Sequence, residues 1–245
     1  MHISDSVVLI TGAARRVGRV IALTLASKGA KIAIHYNFSG SEAKALAREL
    51  SGKYGTQAVP FQADLNRTAQ IQRLASQVLK KFGSVDVLVN SASIYNKTPF
   101  GTITEKEWES HLDINLKAPF FLSQAIGKAM QKKGRGKIIN LCDWSGLRPY
   151  SGYIPYCISK GGLITLTYAL AKALAPQVQV NAILPGPVLL PEQFNSSQRR
   201  AIQEATLLKK LGSPKDIANA VAFFIEGSDF ITGATLPVDG GRLIA

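Results

Sequence analysis

Tyr156 and Lys160 stand four residues apart in the stretch CDWSGLRPYSGYIPYCISK, so on a helix they share one face. A nearby ammonium favours the ionised phenol, whose ordinary pKa is ~10, and brings it toward a range useful for proton transfer. Each unit of such a shift represents about 1.4 kcal/mol of preference for the charged form. The same stretch carries an acid, Asp143, thirteen residues before the tyrosine. An ionised carboxylate opposes negative charge growing on a neighbouring oxygen, so its presence constrains what the tyrosine can act on.

Short apolar runs alternate with amphipathic segments along the whole chain, the pattern of a parallel sheet covered by helices on both faces. Strands are expected at Val7–Thr11, Lys31–Tyr36, Ala58–Gln62, Val85–Asn90, Lys137–Leu141, Gln179–Leu184 and Thr235–Val238. Between them, Val17, Ile21 and Leu25, and then Ile71, Leu74, Ala75, Val78, Leu79 and Phe82, recur at helical spacing. Ser39 followed by Glu42 predicts a capping box for the next helix. No composition shift divides the 245 residues, which predicts one doubly wound α/β domain of Rossmann type. The least regular stretch starts at Pro185 and runs to about Ser197. With its flanks to about 205 it is a candidate substrate loop, because ligands bind beyond the carboxyl ends of parallel strands.

Composition narrows the partners. The net charge of +13 is spread along the chain, and its local clusters, around Lys132 and around Arg199, carry no interleaved aromatics. It reads as a surface that steers an anionic small ligand, with no nucleic-acid partner. No run resembles a membrane span or an export signal, so the expected location is the cytoplasm. The two cysteines, Cys142 and Cys157, read as reduced core thiols. His2, His35 and His111 lack metal-ligand spacing, and no metal is expected. Ser145 and Ser151 have no histidine nearby to complete a hydrolytic triad.

The first strand ends in TGAARRVG, Thr11 to Gly18, and runs into a helix. Gly12 permits a tight turn and Gly18 close packing, so main-chain N–H groups near Arg15, Arg16 and Val17 can meet a pyrophosphate. An NAD site places an acid at the end of the second strand, but IHYNFSGS has none before Glu42. Arg15 or Arg16 can pair with a 2′-phosphate instead, with His35, Tyr36, Asn37 and Ser39 as further donors. NADPH is the expected cofactor.

Taken with these, ADL at Ala63–Leu65, NSAS at Asn90–Ser93, DINL at Asp113–Leu116 and PG at Pro185–Gly186 make the chain resemble the short-chain dehydrogenase/reductases over its whole length. The resemblance implies that Asp64 and Leu65 flank the adenine and that Asn90, Ser91 and Ala92 support the central strand and cofactor. Pro185, Gly186 and Val188 belong to the cofactor site. Asn115, Tyr156 and Lys160 belong to the catalytic set, with Asn115 ordering a water that returns the proton and Lys160 holding the nicotinamide ribose. A homo-oligomer, with a tetramer favoured, is the usual state.

Most members of that family carry Ser where this chain has Asp143. Three explanations are open: Ser145 substitutes for the hydroxyl, activity has been lost, or the substrate is not a ketone. Arg16 at the middle glycine of the turn, Tyr95 after NSAS, and Asp143 together resemble pteridine reductases. That resemblance implies a flat pterin between Tyr95 and the nicotinamide, with Ser93 and Arg16 at its polar edge. Reduction of a C=N bond puts the proton on nitrogen, where a desolvated Asp143 can work with Tyr156. The alternatives are a carbonyl reductase, including a 3-oxoacyl thioester reductase, and an NADPH-binding regulatory protein.

Overall fold

The computed structural model describes residues 1–191 and 194–245. Seven parallel strands form one sheet: β1 Val7–Ile10, β2 Lys31–Tyr36, β3 Ala58–Gln62, β4 Val87–Asn90, β5 Gly136–Leu141, β6 Val178–Pro185 and β7 Thr235–Val238. Their spatial order is β3-β2-β1-β4-β5-β6-β7. The apolar runs locate them because strands covered on both faces need no polar alternation. β1 shows the two-residue period directly. Val8 and Ile10 pack in the core under α1 (Arg16–Ala26), α2 (Gly40–Tyr54) and α8 (Pro214–Glu226). Val7 and Leu9 face the opposite core, under α3 (Thr68–Phe82), α5 (Ala118–Lys133) and α6 (Ile154–Leu174).

The chain winds outward from β1 to β3, then jumps back to place β4 on the other side of β1. That reversal opens a crevice at the carboxyl ends of β1 and β4. Thr11 fixes its floor: its amide donates to the Val89 carbonyl (3.0 Å), and its hydroxyl accepts from the amides of Ser91 and Ala92 (2.9 Å each).

Two local expectations change. The side chain of Ser39 makes no capping bond to α2; Glu42 instead accepts from the Ser41 hydroxyl at 2.7 Å and lies 3.8 Å from Arg15. The exposed guanidinium and the adjacent hydroxyl compete for the carboxylate that a capping box requires. The stretch after Pro185 is also not all loop, since α7 occupies Ser196–Glu204, capped reciprocally by Asn195 and Gln198. Glu192 and Gln193 of the expected substrate loop lie outside the described residues. Among the described residues, no helix is long and apolar enough to cross a membrane, and no cluster of His, Cys, Asp or Glu could hold a metal.

Candidate active site

One cavity of about 1280 Å³ spans the carboxyl end of the sheet from the turn after β1 to the segment before α7. Single small-molecule sites usually measure ~300–1,000 Å³, so this one has room for a dinucleotide and a second ligand. Gly12, Arg15, Arg16, Val17, Gly18, Tyr36, Asn37, Ser39, Leu65, Ser91, Ala92, Pro185, Gly186 and Val188 line it, as do Ser93, Tyr95, Asp143, Tyr156 and Lys160.

The turn after β1 is shaped for close approach. Gly12 has φ +65°, and a Cβ there would meet the Ala92 Cα at 3.1 Å; one on Gly18 would lie 2.4 Å from the Gly12 carbonyl oxygen. The first turn of α1 lines the cavity, and the start of a helix leaves its amides without intrahelical partners, so these residues fit a pyrophosphate.

Arg16 occupies the glycine-like position with φ +52°, a left-handed conformation costing about 1–2 kcal/mol for a residue with a side chain. Its Nη2 donates to the Leu189 carbonyl at 3.0 Å, tying the turn to the segment before α7. Arg16→Gly should therefore raise the urea midpoint, by about 1 kcal/mol of stability, while amide exchange in 187–191 speeds up. A loss of stability with unchanged exchange would show that the strain is not stored at this residue.

His35 is 2% exposed and is not available to a phosphate. Its Nδ1 accepts from the Gly12 amide (3.1 Å), so Nε2 carries the proton and donates to the Ala63 carbonyl (3.1 Å). Burial lowers its pKa to about 4, outweighing the Ala63 bond.

At the other end, Asp143 and Tyr156 meet. The Tyr156 hydroxyl donates to Asp143 Oδ2 at 2.9 Å, and Asp143 Oδ1 accepts from the Ser145 amide at 2.8 Å. Burial raises the Asp143 pKa. Burial, then the Asp143 charge, holds the Tyr156 phenol well above its ordinary pKa. This reverses the expectation that Lys160 makes the phenol easier to ionise. The Lys160 ammonium instead donates to the Leu141 carbonyl at 2.8 Å and lies 5.7 Å from the centre of the Tyr156 ring, while the carboxylate touches the hydroxyl directly. Tyr156 is thus built to hold its proton. Lys160, fully buried, has a pKa lowered by desolvation.

Three expected site residues do not line the cavity. A π-helical turn, Asp113–Lys117, joins α4 (Glu105–Leu112) to α5 and turns Asn115 inward. Its Oδ1 accepts from Ser93 Oγ (3.1 Å) and the Ile94 amide (2.9 Å), and its Nδ2 donates to the Ile94 carbonyl (3.1 Å) and Ser159 Oγ (3.0 Å). With donors and acceptor engaged, its side chain positions Ser93 and α6 and does not grip a water. Asn90 donates to Asn140 Oδ1 (2.8 Å) and Ser123 Oγ (3.2 Å), a strut between strands and α5. Asp64 accepts from the amide and side chain of Asn66 (3.0 and 2.9 Å), so its carboxylate serves its own turn. Ser145, the other candidate for the missing serine, is fully buried and does not line the cavity. Cys142 is also buried, and desolvation pushes its thiol up to about 12, so it is inert.

Tyr153, absent from the expected site residues, stacks its ring on Tyr95 at 4.3 Å between centroids and 5° between planes. Tyr150 donates from its hydroxyl to that of Tyr95 (3.2 Å), and Tyr95 meets the Tyr156 ring edge-on at 4.8 Å. The signal was present in YSGYIPY, where tyrosines recur every third residue.

A parallel sheet with a glycine turn at its switch point, and a buried Tyr–Lys pair facing that turn across one cavity, defines a dinucleotide-dependent oxidoreductase. The chain belongs to the short-chain dehydrogenase/reductase family: residues 12–242 match the family model described as enoyl-(acyl carrier protein) reductase. It is 35% identical over 237 residues to a 3-oxoacyl-(acyl-carrier-protein) reductase of Staphylococcus epidermidis, covering 95% of this chain and 97% of that protein. It is 32% identical over 245 residues to the enzyme of that name from Synechocystis, covering 99% and 98%. Among solved structures, a blue fluorescent protein from a metagenomic library, in complex with NADPH, superposes with TM-score 0.91 at 34% identity over 99% of both chains. A putative short-chain alcohol dehydrogenase from Sinorhizobium meliloti superposes with TM-score 0.94 at 29% identity, covering 100% of this chain and 98% of that one.

Proposed function

We propose that the protein is an NADPH-dependent reductase of a C=N bond in a dihydropterin. The observation that carries this reading is the Tyr156 hydroxyl donating to the buried Asp143 carboxylate at 2.9 Å. NADPH supplies the hydride when bound. Its fit rests on the Gly12–Gly18 cradle, on Arg15 beside an acid-free end of β2, and on the NADPH held by the similar blue fluorescent protein. Lys160, buried against the cavity, would hold the cofactor's ribose. Tyr156 delivers a proton to substrate nitrogen, and Asp143 supports the donor form of the phenol and accepts from N–H groups on the pterin edge. A ketone would instead place its growing oxyanion beside this carboxyl group, whose ionised form opposes it. The aromatic wall of Tyr95, with Tyr153 and Tyr150 fixing it, suits a flat ring.

A second reading, reduction of a 3-oxoacyl thioester, is favoured by the names of the relatives from Staphylococcus and Synechocystis. NADPH oxidation measured with 7,8-dihydrobiopterin, 7,8-dihydrofolate and acetoacetyl thioesters separates the two. The pterin reading expects turnover of the dihydropterins and inhibition by methotrexate; turnover of the thioesters alone would replace it.

A further inference from the structure

We infer that the substrate carries an anionic tail, a carboxylate or a phosphate, which Arg242 binds at the outer end of the cavity. The inference rests on the reading of this cavity as a reductase site and extends it to the class of molecule reduced. The cavity wall holds five cations, Arg15, Arg16, Arg148, Lys160 and Arg242, against one acid, Asp143, among the described residues. Arg15, Arg16 and Lys160 flank the glycine turn and the Tyr156 site, where the phosphates and ribose of a dinucleotide account for them. Arg242 has no such partner. It lies beyond Asp143, its guanidinium 4.9 Å from the centre of the Trp144 ring. Among the described residues no carboxylate reaches salt-bridge distance of it.

The group is held in place before any ligand arrives. Arg242 Nη1 donates to the Ala205 carbonyl at 3.3 Å. Its main-chain carbonyl accepts from Arg148 at 3.3 Å, and Arg148 also donates to the main-chain oxygen of Ala245. The Asp239 carboxylate accepts from the amides of Gly241 (2.9 Å) and Leu243 (2.7 Å), which fixes the turn on which Arg242 stands. Arg148 and Asp239 are therefore engaged by the segment itself, and most of the five N–H donors of Arg242 are left for a ligand. A planar, preorganised guanidinium on an aromatic face suits a carboxylate or phosphate oxygen pair. An unadorned pterin or a short ketone gives it nothing to bind.

Two pairs of compounds that differ in the charge of the tail test this: 7,8-dihydrofolate against its dimethyl ester, and acetoacetyl-4′-phosphopantetheine against acetoacetyl-pantetheine. Dissociation constants measured on the NADP⁺-loaded protein need no turnover. The charged member of at least one pair should bind about tenfold tighter, the effect expected of one charge-assisted hydrogen-bonded contact. That ratio should fall toward unity in Arg242→Gln, persist in Arg242→Lys, and shrink with rising ionic strength in the unmodified protein. A merely structural role for Arg242 would weaken both members alike and leave the ratio unmoved. Absence of a charge preference in both pairs, including absence of binding, overturns the inference, as does a preference that survives Arg242→Gln. A preference in the phosphopantetheine pair alone keeps the anion site and sinks the pterin reading.

Discussion

Asp143→Ser should lower kcat/KM for a dihydropterin by about a hundredfold while the NADPH dissociation constant stays within about twofold. The carboxylate is buried and bonded to the Tyr156 hydroxyl, and none of its bonds reaches the glycine turn. Serine removes the negative charge that holds the phenol proton, which moves the alkaline limb of the pH–rate profile to lower pH. It also returns a hydroxyl that can donate to a carbonyl oxygen, so the variant should gain turnover of acetoacetyl thioesters relative to pterins. Steady-state kinetics across pH, paired with a fluorescence titration of NADPH, reads all three effects. If cofactor binding and turnover fall together, Asp143 is a structural residue, and the case against a ketone substrate loses its footing.

The fold was legible because its signals are local or repetitive. A fully buried parallel strand must be apolar throughout, and six of the seven expected strands agree with the structure to within about one residue at each end; only β4 starts two later, at Val87. The glycine turn was equally readable, since Gly12 and Gly18 have no room for a Cβ. What escaped depends on which of several polar partners wins in three dimensions. His35, Asn90 and Asn115 belong to segments that border the cavity, yet each is bonded to protein atoms that the chain brings in from elsewhere, while Asp64 is engaged by Asn66 of its own turn. A histidine and a carboxylate look alike as ligands and as struts until their partners are known. Tyr153 does have a local signal, the three-residue spacing of Tyr150, Tyr153 and Tyr156. Arg242 had no local signal, because its relation to Trp144 is made only by the return of β7 to the sheet edge.

His35 couples the stability of the fold to the shape of the cofactor turn, and it should do so in a defined pH window. The ring is neutral in the folded protein, with a pKa lowered to about 4 from an ordinary 6.5. Below pH 6.5 the unfolded chain takes up a proton that the folded chain refuses, so stability is complete above that pH and is lost as pH falls toward 4. The full difference corresponds to about 3 kcal/mol, since each unit is about 1.4 kcal/mol. Asp143 has the opposite sign: its raised pKa means the folded chain binds that proton first, which offsets part of the loss at acid pH. Subtracting the profile of His35→Gln from that of the unmodified protein cancels the Asp143 contribution, because both chains contain it. Urea midpoints should fall for the unmodified protein between pH 6.5 and 4, while the variant loses less over the same interval. At pH 7.5 the variant should be the less stable chain, by about 1–3 kcal/mol if glutamine leaves the Gly12 amide or the Ala63 carbonyl unpaired, and the gap should narrow toward pH 4. Parallel curves across the window would mean that the buried ring is not the group that titrates.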